Sequence, residues 1–209
     1  MKTVPILIAS NNAHKLQEFR EIFAQWDAGE MPLFSPRQLE LDLDPDESAG
    51  TYVENARIKA RAFHQLVRRR SDLSTTFVLA DDSGLEVDAL GGGPGVRSAR
   101  YHKTAPHEDG SAALLNDMKA IRDGLRSARF RCVLVMCAPD GQEHVFEGVC
   151  EGTIGFDRRG TGGFGFDPVF RVAGDTRHLA ELTAEEKHRV SHRGNAARQL
   201  IAFLQNAGV

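Results

Sequence analysis

Ala80-Asp81-Asp82-Ser83-Gly84 places two adjacent carboxylates at the end of a short apolar run, where α/β folds gather their ligands. Successive strand side chains point to opposite faces, so only one of the pair faces a given site. Ionised, that carboxylate is an oxygen ligand for a hard cation such as Mg²⁺; the plainer alternative is an Asp tied to its own turn. Glu47 and Glu54 are upstream carboxylates that could converge on the same ion. Ser10-Asn11-Asn12-Ala13-His14-Lys15 forms a polar turn entering a helix, with a lysine one step inside. Backbone N–H groups at a helix start, the helix dipole and an ammonium together favour phosphate. An ordinary Asn N-cap beside a solvated lysine has the same pattern, and no Walker A sequence is present.

Gly160-Thr161-Gly162-Gly163-Phe164-Gly165-Phe166-Asp167-Pro168 contains a literal GxGxxG. A dinucleotide fingerprint needs a helix opening on those glycines, whereas Asp167-Pro168 and an apolar run follow, so strand-loop-strand is expected and a dehydrogenase is not. The loop presents Phe164, either as a platform for stacking a base or as a hydrophobic plug. Lys187, His188, Ser191, His192 and Arg193 cluster at the break between two C-terminal helices. His188 and His192 would share a metal only on one helix, and Ser191 reads as a cap between them. Lys187, His192 and Arg193 have donors for the keto oxygens of a base or for phosphate.

Other segments carry less. In the acidic loop Asp42, Asp44, Asp46, Glu47, a glutamate stands where a calcium loop requires glycine, and Val53 where it requires the bidentate glutamate, so the loop reads as solvated. Arg68-Arg69-Arg70 reads as a solvated helix end. No GxSxG occurs, and Cys132, Cys137 and Cys150 lie in or near buried strands, where thiols are usually inert, so covalent catalysis is disfavoured.

The elements that must position these groups follow from periodicity. Val4 to Ala9 reads as a strand, followed by a helix with Leu16, Phe19, Ile22, Phe23 and Trp26 at helical spacing. A second helix is expected from Tyr52 to Arg70, with a stripe of Val53, Ala56, Ala60, Phe63 and Val67. Phe77 to Ala80 and Leu85 to Ala89 read as two strands bent at Gly84, and a third helix as Glu108 to Ala120. Phe130 to Ala138 is the longest strand, with Glu143 to Gly155 returning as its partner after a Pro139-Asp140-Gly141 turn. A capping box, Thr183 to Glu186, opens a short helix, and Ser191 caps the last one. With no repeat or linker, residues 1–209 read as one α/β domain.

Composition agrees. The 209 residues are 41% hydrophobic and 26% charged, and a chain of that length buries roughly 70% of its unfolded surface. A formal charge of -3 lacks the basic excess of a protein that wraps a nucleic acid polymer. Three cysteines without a CxxC pair argue against a zinc site or disulfide framework. No span or signal peptide is read at the N-terminus, so a cytoplasmic protein without membrane contact is expected.

Taken together, these segments resemble the inosine triphosphate pyrophosphatase family, the enzymes that hydrolyse dITP and XTP. The resemblance rests on Ser10 to Lys15, Tyr52 to Ala56, Ala80 to Leu85, Gly93 to Val96 with Ser98 to Tyr101, Gly160 to Pro168, and Leu182-Thr183 with Ser191 to Gly194, in order along nearly the whole chain. It implies an elongated two-lobed mixed β-sheet flanked by helices, with a nucleotide cleft between the lobes, and usually a homodimer. The implied reaction is Mg²⁺-dependent cleavage of a nucleoside triphosphate between the α and β phosphates, releasing monophosphate and pyrophosphate. By position, the Ser10 to Lys15 segment belongs to the substrate site, with Asn12 and Lys15 on the triphosphate. Glu47, or its neighbour Asp46, and Asp82 would hold Mg²⁺; Asp82 also matches the proton acceptor, with Ser83 beside it on the substrate. Phe164 would stack on the base, Gly165, Phe166 and Asp167 complete its loop, and Lys187, His192 and Arg193 read the base edge. His14 stands where many relatives have glycine or lysine, and Phe166 where tyrosine or tryptophan is commoner. The competing readings are a nonenzymatic nucleotide-binding module and a pyrophosphatase for another modified nucleotide, such as a pyrimidine.

Overall fold

The computed structural model describes residues 4–26, 31–104 and 109–206. Six strands form one mixed sheet in the order β2-β1-β3-β4-β5-β6. β1 (Ile6–Ile8) is wholly buried, and pairs in parallel with β2 (Leu33–Phe34) and β3 (Phe77–Val87). Unbroken apolar sequence in β1 is what a strand covered on both faces requires. β4 (Ser127–Cys137), β5 (Glu143–Ile154) and β6 (Phe170–Val172) complete the sheet, with β5 and β6 antiparallel.

Five α-helices accompany it among the described residues. α1 (Ala13–Gln25) is capped by Asn12, whose side chain accepts from the His14 and Lys15 amides at 3.0 and 3.3 Å. α2 (Tyr52–Val67) is capped by Thr51 and ends three residues before the expected Arg70. α3 (Gly110–Asp117) is shorter than expected: Asp109 caps it by accepting from the Ala112 amide, and a turn follows Asp117. The expected start at Glu108 lies outside the described residues. α4 (Ala184–Val190) opens on the expected Thr183/Glu186 capping box. α5 (His192–Asn206) opens after Ser191, which accepts from the Gly194 amide at 3.1 Å. Glycine is obligatory at 194 because a Cβ there would overlap the His188 carbonyl oxygen.

The expected bend at Gly84 is absent: β3 runs unbroken from Phe77 to Val87, with Gly84 buried in it. Ala89 instead lies in a single 3₁₀ turn.

By compactness the chain divides into two units, Met1–Asp82 with Val133–Glu147 and Ala196–Val209, and Ser83–Cys132 with Gly148–Asn195. β3, β4 and β5 each contribute residues to both. In the first unit β1, Val78 to Ala80, and the α2 residues Ala56, Ala60 and Phe63 are buried, as are Leu200, Ile201 and Leu204 of α5. In the second, Leu85, Val87, Leu114, Met118, Phe130, Ile154, Phe166, Val169, Phe170 and Leu179 pack into one cluster. Arg126, 2% exposed, serves that unit as a staple. Its guanidinium donates to the carbonyls of Met118, Ile121, Ile154 and Gly155 at 2.7–3.0 Å, supplying backbone acceptors with partners.

Candidate active site

The first unit gathers carboxylates and lysines at the end of β1 and the middle of β3. The alternation of β3 sends Asp81 and Asp82 to different partners. Asp81 Oδ1 lies 2.9 Å from Lys15 Nζ of α1, so this lysine is ion-paired rather than solvated. Asp82 Oδ2 accepts from Asn55 Nδ2 of α2 at 3.1 Å. Lys59, one turn further along α2, donates to Glu47 Oε2 at 2.7 Å and to the Asp81 carbonyl at 2.6 Å. Its Nζ is also 3.9 Å from Asp82 Oδ1. A 6% exposed lysine is tolerable because its charge is matched by these oxygens.

Burial pushes the Asp82 carboxyl from 3.8 up to about 6, against the opposing pull of Lys59, Asn55 and Lys15. A carboxylate in that range is ionised at neutral pH yet basic enough to take a proton.

Sequence reasoning overlooked Asn55 and Lys59. With Phe63 they follow the spacing i, i+4, i+8 and are all buried, which puts them on the face of α2 that turns inward. A polar residue recurring within a buried stripe is the signal that could have found them.

Other expectations for this unit resolve individually. Ser10 Oγ accepts from the Asn12 amide at 3.2 Å, forming the turn before α1. Asn11, Asn12, Ala13 and His14 are exposed at the start of that helix. Asn12 is the N-cap that the plainer reading described, and its helix start remains open to an anion. Glu54 does not converge on Asp82; exposed at the start of α2, it accepts from Thr51 Oγ1 at 2.8 Å as half of a cap. Asp42, Asp44 and Asp46 are exposed, as expected of a solvated loop.

The second unit holds the aromatic platform. No helix opens on the glycines; residues 167–169 form a 3₁₀ turn leading into β6, so the dinucleotide fingerprint is structurally absent. Phe164 is half-buried, and Lys187 Nζ and Arg193 Cζ lie 5.2 and 5.8 Å from its ring centroid. Asp167 holds this arrangement: Oδ2 accepts from the Phe164 amide at 2.8 Å and from Lys187 Nζ at 2.7 Å. Arg193 Nη2 donates to Ser83 Oγ at 3.0 Å. His192 stacks on Phe130, ring centroids 4.7 Å apart and 11° from parallel. Gly165 adopts φ +65° at the loop's end. Phe166, expected to complete that loop, is 5% exposed and also packs in the hydrophobic cluster. His188 is buried on α4, and His192 begins a separate helix, so the two do not form an i, i+4 pair on one helix.

The cysteines follow the expectation of inert packing. No disulfide joins them, all are buried, and burial raises the thiols of Cys137 and Cys150 to about 11 and about 12. Among the described residues, no helix is long and apolar enough to cross a membrane.

Comparison with known proteins gives a consistent result. The family model described as the Ham1 family matches residues 6–203. A protein of Methylococcus capsulatus named dITP/XTP pyrophosphatase is 44% identical over 204 residues, covering 96% of each chain. One of the same name from Staphylococcus epidermidis is 40% identical over 201 residues, again 96% of each. The solved structure of the Staphylococcus aureus Ham1 protein superposes with a TM-score of 0.80 at 38% identity, covering 97% of this chain and 99% of that one.

Proposed function

The chain belongs to the Ham1 family, and from that premise we propose that it hydrolyses deaminated purine nucleoside triphosphates, namely dITP, ITP and XTP. Cleavage falls between the α and β phosphates and yields the monophosphate and pyrophosphate. The names of the relatives support the substrate class. The observation that carries the chemistry is Asp82: a buried carboxyl with pKa about 6, set beside Lys59 and Asn55.

Asp82 accepts the proton of the attacking water, and no covalent intermediate is needed. Asn55 orients its carboxylate through the hydrogen bond to Oδ2. Lys15 and the exposed start of α1 at Asn12 take the triphosphate, Lys15 exchanging its Asp81 partner for a phosphate oxygen. Lys59 holds Glu47 and keeps the cluster's negative charge balanced.

The donor set fits Mg²⁺. Asp82 and Glu47 are hard oxygen ligands, and the desolvated Asp82 is an anion that a cation would keep ionised. Mg²⁺ held there by Asp82 and Glu47 would supply charge neutralisation for the phosphates.

In the second unit Phe164 stacks on the base, and Lys187 and Arg193, both near its ring, donate to acceptors on the base edge. Hypoxanthine and xanthine carry a 6-oxo acceptor where adenine carries an amino donor, so donors there reject adenine by leaving its amino group unpaired. Ser83 and Asp167 fix these donors, and His192, the third expected base-edge donor, stands beside Arg193 at the start of α5. We place the protein in the cytoplasm as a homodimer; three buried cysteines without a disulfide support a reducing compartment.

The test is incubation with Mg²⁺ and, separately, dITP, XTP, dGTP and dATP, measuring monophosphate and pyrophosphate. Pyrophosphate from dITP and XTP, with little from dGTP and dATP, is expected. Orthophosphate release, or binding of ITP without turnover, refutes the reading.

A further inference from the structure

The loop that carries Phe164 borders a cavity. A cavity of ≈ 530 Å³ is lined by loop residues 160–166 together with Ser98, Ala99, Asp109, Gly110 and Arg158. Glycines at 160, 163 and 165 all have positive φ, so the backbone has many conformations open to it. With a cavity beside it, such a loop depends on its hydrogen bonds as well as on the packing of Phe166 to keep one conformation.

Two of those bonds bracket Phe164. Its own amide is held by Asp167 Oδ2. The carbonyl of the next residue, Gly165, accepts from Ser111 Oγ at 2.7 Å. Ser111 is 0% exposed and lies in the first turn of α3, 54 positions away. The same end of α3 makes two more contacts, one with the residue two before the loop and one with the loop itself. Asp109, its N-cap, accepts from Arg158 Nη1 at 2.8 Å. Gly110 lies so close to Phe166 that a Cβ would sit 3.2 Å from the ring.

We propose that Ser111 is a positioning residue for the substrate base: its hydroxyl, by anchoring the Gly165 carbonyl to α3, fixes the height and tilt of the Phe164 ring. Ser111 touches no substrate and acts only through the loop. This role rests on the proposed stacking of a base on Phe164, whereas the anchoring itself does not.

Hydrogen exchange and kinetics test the two separately. In Ser111→Ala, amides of residues 162–166 exchange about tenfold faster, the size expected from losing one hydrogen bond, while those of β1 and α2 keep wild-type rates. KM for dITP rises about tenfold and kcat stays within about twofold, because the reacting groups are untouched. In a Phe164→Ala background, adding Ser111→Ala produces no further rise in KM. Wild-type exchange in the loop overturns the anchoring. Faster exchange with unchanged KM, or a KM rise that persists in the Phe164→Ala background, overturns the positioning role. If wild type does not cleave dITP, the functional reading fails while the exchange measurement still decides the anchoring. Should Ser111→Ala not fold, Ser111→Cys, with a weaker donor of similar reach, gives the same readouts.

Discussion

Replacing Asp82 by Asn abolishes turnover and, in metal-free protein, makes the fold more stable. Asp82 has its pKa raised by burial from 3.8 to about 6, so the folded state binds a proton more tightly than the unfolded state. The ionised side chain therefore weakens the fold. The penalty is fully present above about pH 6, shrinks as pH falls and vanishes below the unfolded value. A shift of about two units corresponds to about 3 kcal/mol at neutral pH. Asn carries no charge and retains an oxygen for the Asn55 donor, so the penalty disappears with little lost. Urea unfolding of both proteins in EDTA measures it: Asp82→Asn is expected to gain about 3 kcal/mol at about pH 7.5 and only about 1 kcal/mol at about pH 4.5. Saturating Mg²⁺ narrows the gap at the higher pH, because the cation binds only folded protein with Asp82 ionised. An Asp82→Asn variant that is less stable than wild type in EDTA, or equally more stable at both pH values, refutes the argument that burial of charge sets this pKa.

Lys59→Met lowers kcat by about 100-fold or more, since Glu47 and Asp82 lose the cation between them. Removing a charge that depresses the Asp82 pKa also moves the acidic limb of the pH–rate profile upward; a residual activity with an unmoved limb contradicts this. Phe164→Ala raises KM for dITP by about 10- to 100-fold, the worth of one stacked base, with little change in melting temperature. Arg126→Met removes the side-chain donor from the carbonyls of Ile121, Ile154 and Gly155, while Met118 keeps the Ile121 amide; at about 1 kcal/mol each it costs about 3 kcal/mol, read as a lower urea midpoint.

Features set by local chemistry were legible in the sequence. Asn12, the Thr183/Glu186 box and the break at Ser191 each declare a helix end through a side chain that satisfies an orphan amide, and all stand where expected. Proline after the glycines of the 160–165 loop excluded a helix, and none forms. Tertiary context decided what local patterns could not. Gly84 reads as a bend from backbone entropy alone, yet β3 continues through it, held by a sheet that pairs it with β1 and β4. β2, two residues long, is too short to carry any periodicity. Lys59 was overlooked and Glu54 given too long a reach: the mid-helix lysine turned inward to carboxylates 12 and 23 positions away in sequence, while the glutamate served its own helix start. Partners at such separations leave no trace in a window of one helix.

The discontinuity of the first unit bears on how the protein is made. Its last piece, Ala196–Val209, contributes the buried Leu200, Ile201 and Leu204. Translation proceeds at about 5–20 residues per second, so Ile6–Ile8 and Phe77–Ala80 wait through seconds of synthesis before the helix that completes their unit exists. During that interval a nascent chain offers apolar strands to chaperones or to its neighbours. A premature stop anywhere before residue 196 leaves the unit that holds Asp82 without its closing helix, and quality control, rather than loss of one catalytic group, is what removes the product.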